Sequence, residues 1–157
     1  MNQPSIIAQL NAAWTADGYA HATPPTAGDI AAFESRYNVR LPLDFRLYIE
    51  RVNGGALGRG SMDHQGIGFW RFDEIQSEAE KRRDDRMRFF GFADFLLDSH
   101  IYAIELHEEV TRPTAIVIDH GVTILRIADS FTGFVRGYLA GDGSVLFGQD
   151  SAIGPSA

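Results

Sequence analysis

TAGDIAAFESRYNVRLPLDFRLYIERVNGG, residues 26–55, is the stretch whose reading decides the fold. Thr26 followed by Asp29 has the form of a capping box, in which two side chains satisfy free backbone N–H groups at a helix start. Ile30, Phe33 and Tyr37 then fall at i, i+3 and i+7, one stripe of an amphipathic helix. Asn38-Val39-Arg40 breaks that helix. Leu41-Pro42 opens the next, with proline near the first helical position, where its missing N–H costs nothing. Phe45, Tyr48, Ile49 and Val52 make a second stripe, and Asn53-Gly54-Gly55 ends it with residues that tolerate left-handed backbone.

Working outward, Ser5 caps an earlier short helix with Ile6, Ile7, Leu10, Ala13 and Trp14 on its apolar side. Asp17-Gly18 ends that helix, and Thr23-Pro24-Pro25 is an extended connector. Downstream, a glycine-rich loop over 56–66 leads to an aromatic strand over 67–72. A short surface helix is expected within 73–88. Strands follow at 89–95, 101–106, 114–118 and 122–127, joined by turns too short for parallel crossovers, so the sheet is expected to be antiparallel. Asp129 or Ser130 caps a closing helix carrying Phe131, Phe134, Val135, Tyr138 and Leu139, which Gly141-Asp142-Gly143 stops. Residues 144–147 read as a small edge strand. The expected fold is α+β: an antiparallel sheet of about five to six strands, with N-terminal helices and a C-terminal helix packed on it. Residues 1–25 read as a helix and connector of the same domain, 26–147 as its body and 148–157 as a tail.

The order of signals from Ile30 to Gly55 (IxxFE, LPxDFRxYI, NGG) resembles the N-terminal signature of the SUKH superfamily, which includes fungal cell-wall regulators and bacterial immunity proteins paired with toxins. Ile30, Phe33, Glu34, Leu41, Pro42, Asp44, Phe45, Tyr48, Asn53, Gly54 and Gly55 carry the likeness. A weaker likeness lies in Ile127-Ala128-Asp129-Ser130-Phe131 with Phe134 and Tyr138. Caps and tight turns account for Leu41, Pro42, Asp44, Asn53, Gly54 and Gly55, which read, with Tyr48 of the helix stripe, as fold-specifying residues.

The 157 residues suit one domain with a sizeable core. Zero cysteines exclude disulfides, thiol catalysis and thiolate metal sites. No apolar run suits a membrane span or a secretory leader, so a cytoplasmic protein is expected. The net charge of −7 is uneven. Residues 36–88 hold 11 basic and 9 acidic side chains, while the rest holds 3 and 12. Residues 89–111 have no Lys or Arg and five acids: Asp94, Asp98, Glu105, Glu108 and Glu109. That balance disfavours direct nucleic-acid binding.

No catalytic or metal constellation stands out. Gly55-Ala56-Leu57-Gly58-Arg59-Gly60-Ser61 has P-loop spacing but lacks the lysine and follows a helix. None of the five histidines pairs with another at ligand spacing. Gly133, Gly137 and Gly141 point to a close backbone approach or a dimer groove. The aromatics of Phe69-Trp70 and Phe89-Phe90 must face both sides of the sheet.

What the resemblance implies is a non-enzymatic protein-binding module, foremost an immunity protein that neutralises a cognate bacterial toxin. The alternative is a regulatory or scaffolding protein for endogenous partners, and after it a small-ligand binder or enzyme. Trp70, Asp94, Asp98, Tyr102 and Glu105 are the expected contact surface, offering acids to a basic toxin domain such as a nuclease. No cofactor, metal or membrane is expected, and the chain reads as a monomer or weak homodimer.

Overall fold

The computed structural model describes residues 5–77, 88–97, 99–109, 114–121 and 123–148. Each helix start is set by a side chain or a proline. Ser5 accepts from the Ala8 amide at the head of α1 (Ile6–Asp17), which Gly18 closes in left-handed backbone. Thr26 and Asp29 form the reciprocal capping box of α2 (Ala27–Tyr37). Pro42 precedes α3 (Leu43–Arg51), whose Phe45, Tyr48 and Ile49 are fully buried. Glu34 ties the two together by accepting from the Leu41 amide at 2.8 Å.

Six strands follow: β1 (Ile67–Phe69), β2 (Gln76–Ser77), β3 (Phe89–Phe95), β4 (His100–Glu105), β5 (Ile116–Asp119) and β6 (Ile124–Ala128). All pairs are antiparallel, in the order β1-β3-β4-β5-β6, with β2 also pairing β3. Ser130 caps α4 (Phe131–Ala140) by accepting from Gly133, and α5 (Gly143–Phe147) follows. The α+β architecture is the expected one.

Three local expectations are corrected. Residues 144–147 are helical because Asp142 accepts from both the Ser144 amide and its hydroxyl, capping a helical turn. The strand expected over 67–72 stops at Phe69, since the Phe72 N–H turns away to Asn53 and residues 72–74 form a 3-10 turn. The helix expected within 73–88 gives way at Gln76–Ser77 to pairing with β3, and 78–87 lie outside the described residues.

The core is largely aromatic. Phe45, Phe92, Phe131 and Phe134 interlock with centroids 5.0 to 6.3 Å apart, and Tyr102 adds to Phe134 at 5.4 Å. Trp14 of α1 is equally deep, 5.0 Å from Phe69, and its indole N–H donates to the Tyr138 hydroxyl of α4. Tyr138 in turn donates to Asp63 in the loop, so one hydrogen-bonded chain joins α1, α4 and the segment before β1.

Gly137 is needed because a Cβ there would lie 2.5 Å from Val145 of α5. The close approach is thus met inside the chain, by a side chain of α5.

Tyr48 is a misfit in this interior. Its hydroxyl is fully enclosed and finds no hydrogen-bond partner among the described residues. Burial, then the neighbouring Tyr19 and Tyr138, raise its pKa well above the ordinary value, so it stays neutral. Removing a buried, unsatisfied hydroxyl forfeits no bond and relieves desolvation. Tyr48→Phe is therefore expected to leave stability unchanged or raise it by about 1 kcal/mol. Urea denaturation checks this, and a loss above that size would reveal a partner for the hydroxyl.

Candidate functional site

The Asn53-Gly54-Gly55 turn is the architectural centre of the molecule. Asn53 is buried and left-handed, with φ of 51°. Its side-chain amide donates to the Thr23 carbonyl at 2.7 Å, and its amide oxygen accepts the Phe72 N–H at 2.6 Å. Next to it, the Ala22 N–H donates to the Gly54 carbonyl, the Gly55 N–H to the Phe69 carbonyl and the Ala56 N–H to the Ala20 carbonyl. One turn therefore joins the proline connector to the end of β1. A side chain at Gly54 would meet the Trp70 carbonyl at 2.2 Å, and one at Gly55 the Tyr19 hydroxyl at 2.4 Å.

The two segments that Asn53 holds are opposite walls of a cleft of about 700 Å³. The connector brings Thr23, Pro24 and Pro25, and α2 adds Asp29, Ala32 and Arg36. Across from them stand Arg71, Asp73 and Ile75, and the half-buried rings of Phe33 and Tyr37 with Phe72 form an aromatic floor. Phe33 lies 4.9 Å from both Tyr37 and Phe72. Each wall carries one acid and one arginine. Arg71 pairs with Asp73 at 3.2 Å and with Glu74 at 3.5 Å, and these carboxylates raise its pKa further. The guanidinium of Arg36 lies 5.0 Å from the Tyr37 ring. Such a lining suits an extended polypeptide or another flat amphipathic group, with apolar side chains on the rings and polar groups on the rims.

Beside the cleft, the glycine-rich loop folds around an internal anion. The Glu74 carboxylate accepts from the Arg59 amide at 3.1 Å and the Arg71 amide at 2.9 Å. A Cβ at Gly58 would lie 2.2 Å from it. The P-loop-like spacing thus accommodates a side-chain carboxylate from the same chain. Glu74→Ala is expected to cost about 1 to 2 kcal/mol in urea denaturation and to speed amide exchange at Arg59. Unchanged exchange there would contradict the carboxylate's role.

Three of the five residues expected at a contact surface, Trp70, Asp94 and Tyr102, lie in the interior. Trp70 is fully buried, its indole N–H donating to Asp94 at 2.6 Å while Arg59 stacks on its ring at 3.9 Å. Asp94 is 1% exposed and Tyr102 0%, the Tyr102 hydroxyl donating to the Leu146 carbonyl. Glu105 is half-buried against His107 at 3.3 Å, and Asp98 lies outside the described residues. Alternation along β3, β4 and β5 puts Asp94, Ile101, Ala103, Val117 and Asp119 on the face opposite Tyr102, and all five are buried. That face is not open, so Trp70, Asp94 and Tyr102 are interior residues. The loop covers part of it directly, because the Ser61 carbonyl would sit 2.1 Å from a Cβ at Gly68.

The fold-signature residues do have structural partners. Asp44 accepts from the Thr132 amide and hydroxyl, both at 2.8 Å, locking α3 to α4, and Leu41 is buried. The cleft itself was missed: Phe33 and Tyr37 read as core, and Arg36 and Arg71 carry no motif. Among the described residues no helix is long and apolar enough to cross a membrane. No curated protein matches the chain at a significant level. The model of the SMI1/KNR4 family (SUKH-1) matches residues 24–137, and the chain belongs to that family.

Proposed function

We propose that this domain is a non-enzymatic protein-binding module whose partner lies in the cleft between α2 and residues 71–75, and that the partner is a cognate bacterial toxin which binding neutralises. Family membership supports the class of activity. The observation that carries the choice of site is the aromatic-floored, solvent-open cleft, whose two walls are both fastened to Asn53. Pre-formed walls lower the ordering cost of binding, and the half-buried rings of Phe33 and Tyr37 supply apolar area to bury.

The partner's chemistry follows from the lining. With Asp29 and Asp73 set against Arg36 and Arg71, the cleft has no strong sign of its own. Affinity then comes chiefly from buried aromatic and proline surface. A regulatory role toward an endogenous partner would use the same cleft. Co-expression with the product of the adjacent gene separates the two: rescue of growth from a toxic neighbour supports neutralisation. A neighbour that is neither toxic nor bound contradicts it.

A further inference from the structure

We propose that His100 and His120 form a two-imidazole site for a divalent transition-metal ion, fastening the tip of the β3–β4 hairpin to the β5–β6 turn. The proposal is independent of what occupies the cleft. Ile101 pairs with Asp119 across β4 and β5, so the next cross-strand neighbours are His100 and His120, on the same face. Directly opposed residues in antiparallel strands bring their Cβ atoms within about 5.5 Å, near enough for two side chains to share one ion. The rings are 4.4 Å apart at an interplanar angle of 72°.

The tautomer of His100 suits ligation. Its Nδ1 lies 2.8 Å from the Ser99 carbonyl, to which it donates, leaving the Nε2 lone pair available. Phe95 stacks on the same ring at 21°, holding its plane. On the other side, the His120 N–H donates to the Thr123 carbonyl and closes the β5–β6 turn beneath its ring. Both histidines are half-exposed, so an ion can enter without local unfolding. No group of three or more His, Asp or Glu among the described residues could complete a metal site. Two imidazole ligands leave coordination positions open to water, and affinity falls well short of a four-ligand structural zinc site. Paired imidazoles select Zn²⁺, Ni²⁺ or Cu²⁺ over Mg²⁺ and Ca²⁺, which prefer oxygen. Sequence spacing hides the pair because the residues meet only through strand register.

Thermal melting of the tag-free chain with NiCl₂, against MgCl₂, tests the site. A higher Tm with nickel alone is expected. His100→Ala and His120→Ala should each weaken nickel binding by at least about tenfold and abolish the rise. His64→Ala, at an exposed histidine paired with Asp17, should keep it. Paramagnetic broadening by CuCl₂ reads the same site in the wild-type chain without any substitution, and the His100 and His120 ring signals should disappear first. No rise in the wild-type chain, a rise surviving in H120A, or equal broadening at all five histidines would overturn the assignment.

Discussion

Gly54→Ala is expected to cost at least about 3 kcal/mol or to prevent folding altogether. Two independent penalties meet at this residue. Its φ of 71° is a conformation that alanine adopts at a cost of about 1 kcal/mol or more. The added methyl would also stand 2.2 Å from the Trp70 carbonyl oxygen and 2.7 Å from its carbon. Backbone cannot swing aside as a side chain can, and this backbone is anchored by the Trp70 N–H donating to Phe92 at 2.8 Å. Gly60→Ala is the control that isolates the steric part. Gly60 has φ of 92° but open space where its Cβ would sit, so only the dihedral penalty of about 1 kcal/mol applies. Urea denaturation of both variants checks the difference, and equal losses would show that the approach to Trp70 is not tight.

The second large effect is at Asn53. Asn53→Ala removes both hydrogen bonds that hold the cleft walls, leaves the Thr23 carbonyl and Phe72 N–H without that partner, and places alanine in left-handed backbone. Each bond contributes about 1 kcal/mol net, and holding alanine in left-handed backbone costs about 1 kcal/mol more. A total near 3 kcal/mol follows. Asn53→Gly relieves the dihedral but restores neither bond, so it should recover only about 1 kcal/mol of that loss. Hydrogen exchange should show the amides of residues 22 and 72 losing protection first. If Asn53→Gly matched the wild type in stability, the side-chain bonds would not be what holds the walls.

The helices were legible because their signals are local. Thr26 with Asp29 is complete within four residues, and the spacing of Phe45, Tyr48 and Ile49 needs no tertiary partner to be recognised. Strands β3 to β6 were legible through short turns and β-branched or aromatic runs. Residues 144–147 misled because Val145-Leu146-Phe147 has strand-like composition, and the Asp142 cap that makes them helical is a single side-chain choice. The burial of Trp70, Asp94 and Tyr102 was hidden for a different reason. A cluster of acids in sequence becomes a surface only if alternation sends them outward, and Asp94 faces inward beneath Trp70. Nothing in the string says which sheet face a loop will cover. The cleft could not be read either, since Arg36 and Arg71 come to line one cleft only through tertiary packing around the turn at Asn53.

Proposed function and fold meet at Ala32, an exposed residue of α2 that lines the cleft. Arginine there suits a helix, so Ala32→Arg should fold normally while its side chain fills the space between the walls. Ser35→Arg adds the same charge to an exposed position of the same helix that does not line the cleft. The direct measurement is the affinity of the two variants for the proposed partner, sought in the product of the adjacent gene. A loss of at least about tenfold in Ala32→Arg, with Ser35→Arg close to the wild type, is the expected result. Undiminished binding by Ala32→Arg would contradict a partner seated in the cleft.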